Sequence, residues 1–429
     1  MNKHEFIFEC YLNKKNIFIT GPGGTGKTYS IQKIYKHAIE NNRKICVTAL
    51  TGVAALLLDC NATTIHSWAG IGLSNKSNDV IIKKILSSNF YKHNWVNTEI
   101  LVIDEISMLS EKIFDLLDTI GKKIRNNNKP FGGIQLIFSG DFFQLPPVNE
   151  IYFCFESDNF LLTFDEIIIL DKIYRQTNKK FSNILLNLRQ GLISNKTIKL
   201  LNDKIIDINY KELNNESNIV RLVPTKAMAN EINEKFMNKI KSKIYIYKRT
   251  YDENTDSLSE IEKIKLRLMS ELEKENEYNF IKQSNLTDEK LCLKKGCFVM
   301  CISNLDLKCG IANGSIGEVI DFSEKKYPIV KFEKKTIEVC KKVWKSDNIP
   351  GISINQVPLI LAWGITIHKA QGLTLSRAIL DIGNNIFEAG QMYVALSRLK
   401  DLDNLYLQNF SIDNLKVNKK VLEFYNQFK

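Results

Sequence analysis

Residues 20–28 read Thr20-Gly21-Pro22-Gly23-Gly24-Thr25-Gly26-Lys27-Thr28, directly after the apolar run Ile17-Phe18-Ile19 and directly before a helical pattern. A strand, a glycine-rich turn and a helix in that order form the setting a phosphate-binding loop requires. The glycines let backbone N–H groups curl around an anion, and the helix opening near Lys27 adds its positive end. Lys27 has the reach to meet β- and γ-phosphates, and the Thr28 hydroxyl is placed to ligate Mg²⁺. The pattern predicts a nucleoside triphosphate site over Gly21, Pro22, Gly23, Gly24, Thr25, Gly26, Lys27 and Thr28. A plain glycine-rich turn is the alternative reading.

The rest of the chain must supply a fold around that loop. Its 429 residues, 44% apolar and 25% charged, allow two or three domains with real cores and argue against disorder. No run of 18 apolar residues occurs, and Met1-Asn2-Lys3-His4-Glu5 lacks the layout of a secretory signal, so an intracellular, membrane-free setting is expected. Nine scattered cysteines suit a reducing compartment. Cys292, Cys297, Cys301 and Cys309 crowd together without a C-x₂-C pair, which reads as buried thiols rather than a zinc site. The net charge of +11 favours a polyanionic partner, although solubility alone accounts for a mild basic excess. Only nine of the 59 cationic residues are Arg, so each Arg that persists draws notice for its planar fork.

Apolar strand patterns alternate with helical ones at 17–20, 45–49, 100–104, 134–139 and 167–170, which predicts a parallel α/β sheet. A second alternating set runs through 219–223, a helix over 226–240 and a strand over 244–247. It resumes at 359–363, 378–382, a helix over 386–396 and a strand over 405–407. Between its halves, 252–279 reads as a charged, solvated helix, and 297–343 as short strands with a turn at 312–315 and a hairpin at 324–326. This predicts a small β-barrel inserted into the second sheet. The tripeptide Thr-Ile-His occurs twice, at 64–66 and 366–368, once in each set.

Leu101-Val102-Ile103-Asp104-Glu105 is an apolar strand ending in two carboxylates, expected to face the nucleotide from the strand neighbouring the loop. Asp104 would hold Mg²⁺ and Glu105 would polarise the attacking water, whereas a helix N-cap is the structural alternative. A second buried strand breaks at Gly140-Asp141 and leads to Gln144, a neutral amide able to donate to a γ-phosphate and accept from water. Arg175 and Arg398 are the candidates for arginine fingers, with structural ion pairs as the alternative.

Together these segments resemble the petite-integration-frequency (Pif) family of DNA helicases, superfamily 1B, related to RecD-type helicases. The matching stretches keep their order: the phosphate loop, 47–55, 64–70, 104–108, 130–148, Tyr174-Arg175-Gln176, 363–374 and 393–398. The resemblance implies two RecA-like parallel-sheet domains: 1–170, with a small wedge insertion at about 71–96, and a second made of 171–284 and 357–429. An inserted SH3-like barrel would span 285–356. It further implies a monomeric, ATP- and Mg²⁺-dependent enzyme that moves 5′-to-3′ on single-stranded DNA and opens duplex or forked DNA in repair, recombination, replication or telomere maintenance. ATP would sit between the two sheets, with Arg175 and Arg398 reaching it from the second. Gly372 and Thr374 would lie toward ATP, and Thr51, His66, Ser67, Trp68, Thr366, His368 and Lys369 along the DNA. For Trp68, burial in the core is the competing reading. The chain departs from the family in having no Gln within Met1–Lys15, where an adenine-recognising one is usual. Two other readings stand beside the helicase: a nucleic-acid-stimulated ATPase that remodels nucleoprotein or RNA without unwinding, and a non-catalytic module with a vestigial loop.

Overall fold

A computed structural model describes residues 2–72, 77–148, 150–176, 178–206, 218–256, 258–284, 287–306, 309–346 and 349–428. By contact density the chain divides into two units, Met1–Ile205 with Ile382–Lys429, and Ile206–Asp381.

The first unit is built on a six-stranded parallel sheet. Its strands are β1 (Ile17–Thr20), β2 (Ile45–Ala49), β3 (Thr63–Thr64), β4 (Ile100–Asp104), β5 (Gln135–Gly140) and β6 (Glu166–Ile169), in the order β3-β2-β4-β5-β1-β6. Successive side chains leave a strand on opposite faces, so these near-continuous apolar runs feed two cores. Phe18, Leu101, Ile103, Leu136 and Phe138 enter one, whereas Ile17, Ile19, Ile100, Val102 and Ile137 enter the other. Helices α1 (Lys3–Leu12), α2 (Lys27–Glu40) and α3 (Gly52–Leu58) cover the second core through Ile7, Ile31 and Ala55. The C-terminal helix Lys419–Asn426 returns to the first through Val421, Phe424 and Tyr425.

Part of the expected wedge insertion, 73–76, lies outside the described residues. The remainder holds helices Asn78–Ser87 and Asn89–Asn97, anchored by Ile81, Ile85 and the fully buried Trp95. The expected helix over 386–396 is shorter, Gln391–Leu396. Gly390 adopts φ 80° at its start, outside the helical region, and the Gln391 side chain folds back to accept the Phe387 and Glu388 N–H groups.

In the second unit, Val220–Val223 pairs in parallel with both Gly364–Thr366 and Ala378–Ile382. The expected strand at 244–247 does exist, yet it does not join this parallel set. Ile244–Lys248 forms an antiparallel ribbon with Lys290–Lys294, and only its Tyr247 is buried. A strand with one wet face cannot occupy a sheet covered on both sides. The inserted segments are antiparallel throughout: Thr336–Glu338, Pro328–Phe332, Ile316–Phe322, Phe298–Cys301 and Leu359–Leu361 make one sheet, with the expected hairpin at 322–328. The charged stretch is helical over Glu260–Leu268 and Glu271–Ser284, and it is not wholly solvated. Leu266 and Ile281 pack on Ile352 and Ile354, because each helix keeps an apolar stripe among its charges.

Candidate nucleotide site

At the carboxyl end of β1, residues 21–26 bridge to α2, whose first residue is Lys27. Gly26 is the N-cap with φ 86° and no side chain to satisfy the first helical amides. Gly24 has φ 84°, and a Cβ there would stand 2.6 Å from the Arg175 Cβ, so only glycine fits. Thr25 Oγ1 donates to the Pro22 carbonyl at 2.9 Å and tightens the loop. The half-buried Lys27 ammonium donates to the Gly21 and Pro22 carbonyls at 2.7 and 2.9 Å. Burial pushes its pKa below the usual lysine range, while Asp141, Glu105 and Asp104 oppose that shift. Thr28 follows in the first turn of α2.

Asp104 ends β4, 7% exposed, and Glu105 follows in the left-handed region at φ 55°, a strained conformation for a side chain of this size. The expectation that this pair comes from the strand neighbouring β1 is corrected: β5 lies between β1 and β4. The carboxylates still approach because β5 ends in Gly140, where a Cβ would sit 2.8 Å from the Ile106 amide. Burial first, then the adjacent Glu105, raises the Asp104 pKa, and Lys27 counters it. Two carboxylates forced together in a buried place form a set of hard oxygen donors that a divalent cation would relieve.

Both candidate arginines reach the loop. A Cβ on Gly23 would lie 3.7 Å from Arg175 Nη1, from Arg398 Nη2 and from the Tyr393 hydroxyl. Arg175 Nη1 donates to the Ser397 carbonyl at 3.3 Å, Arg398 Nε to the Val394 carbonyl at 2.9 Å and Arg398 Nη2 to Ser397 Oγ at 2.7 Å. Burial, then the neighbouring Arg175, pushes the Arg398 pKa down, and burial does the same to Arg175. Gln144 is 5% exposed, and its Oε1 is buried without a protein partner. Open helix amides, Lys27, two arginines converging on Gly23, an orphaned amide oxygen and an acid pair with Asp104 buried are together the donor set that a triphosphate and its divalent cation fit.

The residues expected along DNA fall in both units. Thr51 caps α3 by accepting the Ala54 N–H at 3.2 Å, and Thr64 caps α4 (Ile65–Ala69) by accepting the Ser67 N–H at 3.3 Å. His66 is half-buried, and burial pushes its pKa down to about 4, so it offers a neutral imidazole at physiological pH. Trp68 is 5% exposed and packs on Trp95 with ring centroids 4.6 Å apart, which is the core alternative raised for it. In the second unit Thr366 accepts the Lys369 N–H at 3.2 Å, repeating the Thr64 cap one Thr-Ile-His later. His368 stands between them, and burial lowers the Lys369 pKa while Asp288 opposes the shift. Gly372, with φ 81°, and the exposed Thr374 also belong to this unit.

Three residues of the site had no role assigned from sequence. Asp141 and Arg189 form a buried bidentate ion pair, with Arg189 Nε and Nη2 3.0 and 2.8 Å from Asp141 Oδ1. Tyr393 Oη accepts the Gly23 N–H at 2.9 Å. The scarcity of Arg is the one sequence signal that points to Arg189, which lies in none of the motifs.

Comparison with known proteins follows the same lines. A family profile described as PIF1-like helicase matches residues 5–199, and one described as DNA helicase Pif1, 2B domain, matches 278–322. The ATP-dependent DNA helicase RRM3 of Saccharomyces cerevisiae is 30% identical, covering 99% of this chain and 67% of that protein. The crystal structure of Pif1 helicase from Candida albicans superposes with TM-score 0.82 at 32% identity, covering 100% of this chain and 99% of that one. Pif1 from Bacteroides in complex with ADP-AlF3 and ssDNA superposes with TM-score 0.68 at 27% identity, covering 100% and 96%. The chain spans 60% and 64% of the length of the curated relatives it matches first.

Proposed function

This chain belongs to the PIF1-like helicase family, and on that premise we propose that it is an ATP-dependent DNA helicase, translocating 5′-to-3′ on single-stranded DNA and opening duplex or forked DNA. The observation that carries the reading is the convergence of Arg175 and Arg398 on Gly23 of the phosphate loop. Two guanidiniums beside Gly23 supply positive charge where a departing phosphoryl group would need it. ATP with Mg²⁺, when bound, supplies the phosphoryl group and the charge that Asp104 and Thr28 are placed to hold. Glu105 takes the proton of the attacking water, Gln144 orients that water through its free Oε1, and Arg175 and Arg398 offset the charge on the γ-phosphate. The loop amides and Lys27 bind the phosphates, and Gly372 and Thr374 keep the nucleotide-side role that the family resemblance implies.

For DNA, Thr51, His66, Ser67, Thr366, His368 and Lys369 hold phosphates at strand ends, where capped turns present hydroxyls and amides without reading bases. Trp68, on the buried face of α4, anchors that helix against Trp95 rather than serving as a stacking surface. We keep a monomeric enzyme and the domain bounds 1–170, 171–284, 285–356 and 357–429, with an SH3-like insertion, as parts of the same proposal.

The test is ATP and GTP hydrolysis with and without single-stranded DNA, beside strand displacement on 5′-tailed and 3′-tailed duplexes. DNA-stimulated hydrolysis with displacement of the 5′-tailed substrate alone is expected. Stimulated hydrolysis without displacement of either substrate would replace the helicase by a remodelling ATPase, and no hydrolysis at all would leave only the vestigial module.

A further inference from the structure

Behind the phosphate loop, a line of mostly buried hydrogen bonds joins five segments far apart in sequence. The Gly23 N–H donates to the Tyr393 hydroxyl at 2.9 Å, and that hydroxyl donates to Asp141 Oδ2 at 3.3 Å. Asp141, fully buried, is held from its other side by the Arg189 fork. The Arg189 guanidinium in turn lies over the rings of Phe143 and Tyr425, at 4.3 and 5.0 Å from their centroids. Tyr425 bonds Thr20, the last residue of β1, and accepts the Phe142 N–H at 3.3 Å. The loop is therefore gripped at Thr20 and at Gly23 by groups that also grip the segment after β5.

That segment carries Gln144. The Asp141 carboxylate accepts the Phe143 N–H at 3.3 Å, and its backbone carbonyl accepts the Gln144 N–H at 2.9 Å. Tyr393, for its part, lies one helical turn before Ser397 and Arg398, with the Ser397 N–H donating to the Tyr393 carbonyl at 2.9 Å. A shift of the Tyr393 hydroxyl is thus felt by both groups assigned to the γ-phosphate.

We propose that Tyr393 is a positioning residue whose hydroxyl stands in for a phosphate oxygen on the Gly23 amide. With Asp141 and Arg189 it links occupancy of the loop to the placement of Gln144 and Arg398. The inference rests on the nucleotide reading above. A phosphate oxygen is a charged acceptor and outcompetes a phenol for the same N–H. Once displaced, Tyr393 keeps its bond to Asp141, so the network resets rather than breaks. Lys27, tied to the Gly21 and Pro22 carbonyls, is released by the same exchange.

The experiment compares wild type, Tyr393→Phe and Lys27→Ala by thermal unfolding without nucleotide and by titration with fluorescent ADP. Removing the competing acceptor leaves the phenyl ring in place. The nucleotide-free Tm of Tyr393→Phe should fall, and ADP should bind more tightly, by a few-fold up to about tenfold. Its kcat should fall, because Gln144 and Arg398 lose their shared reference. Opposite movement of affinity and turnover is the signature, since a merely structural loss weakens both. Unchanged or weaker ADP binding by Tyr393→Phe overturns the proposal, provided wild type binds ADP and Lys27→Ala does not. If wild type fails to bind ADP, or Lys27→Ala binds equally well, the nucleotide reading itself fails. Should Tyr393→Phe not fold, hydrogen exchange in wild type decides: Gly23 amide protection without nucleotide supports the proposal, and unprotected exchange overturns it.

Discussion

At Thr20 the chain takes residues 21–26 to pass from strand to helix, and at Val223 it takes only Pro224 and Thr225. Both helices then open on a lysine, Lys27 and Lys226. The first N-cap is a left-handed glycine with no side-chain bond, so its leading amides remain open to an anion. The second is Thr225, whose hydroxyl accepts the Met228 N–H at 3.3 Å. One junction keeps its helix terminus for a ligand and the other satisfies it from its own sequence. Two parallel-sheet units therefore share architecture while only the first leaves the N-terminus of its helix open, as the proposed triphosphate site requires.

The comparison is broken most severely at the residues proposed to meet the γ-phosphate. Arg398→Ala should lower ATP turnover by about 10³-fold or more while ADP binding persists, measured by steady-state hydrolysis beside nucleotide titration. Unchanged turnover would remove its assigned role. Lys27→Ala should lower turnover by at least about 10²-fold. The matched change Lys226→Ala should leave DNA-free hydrolysis as it was, and a comparable loss there would erase the distinction between the junctions.

A smaller effect of pH is expected at the first Thr-Ile-His segment. The folded His66 pKa, about 4, lies below the ordinary 6.5, so the unfolded chain binds more protons between those values. The stability that His66 contributes is present above pH 6.5 and is lost as the pH falls toward 4. Thermal unfolding over that range should show a shallower acid loss in His66→Asn than in wild type, and parallel curves would contradict the buried neutral imidazole. The smallest expected effect is Thr225→Ala, which should cost about 1 kcal/mol of stability by denaturant unfolding with hydrolysis untouched.

Local chemistry made much of the site legible. The glycine spacing at 21–26, the acid pair closing an apolar strand and the break at Gly140-Asp141 each impose a backbone conformation within a few residues, and each appears where the pattern put it. Legibility failed where neighbours are remote. The strand at Ile244–Lys248 reads like any other apolar strand, and only its partner Lys290–Lys294 makes it an antiparallel ribbon. Trp68 is equally consistent with stacking on a base or with a core, until Trp95 meets it. Arg189 carried no motif, yet its fork on Asp141 braces the loop that bears Gln144.

Sequence alone determined that this chain builds a glycine-rich strand-to-helix loop and an apolar strand ending in carboxylates, because glycine conformation, helix termini and strand periodicity act over a handful of adjacent residues. Tertiary structure decided that β5 separates β1 from β4, that Tyr393 closes on Gly23, and that Arg175 and Arg398, finger candidates with ion pairs as the alternative, meet there too. Those contacts join residues separated by most of the chain, and their energy comes from burying charges and hydroxyls together. Such burial depends on which surfaces pack, and no local spacing encodes it.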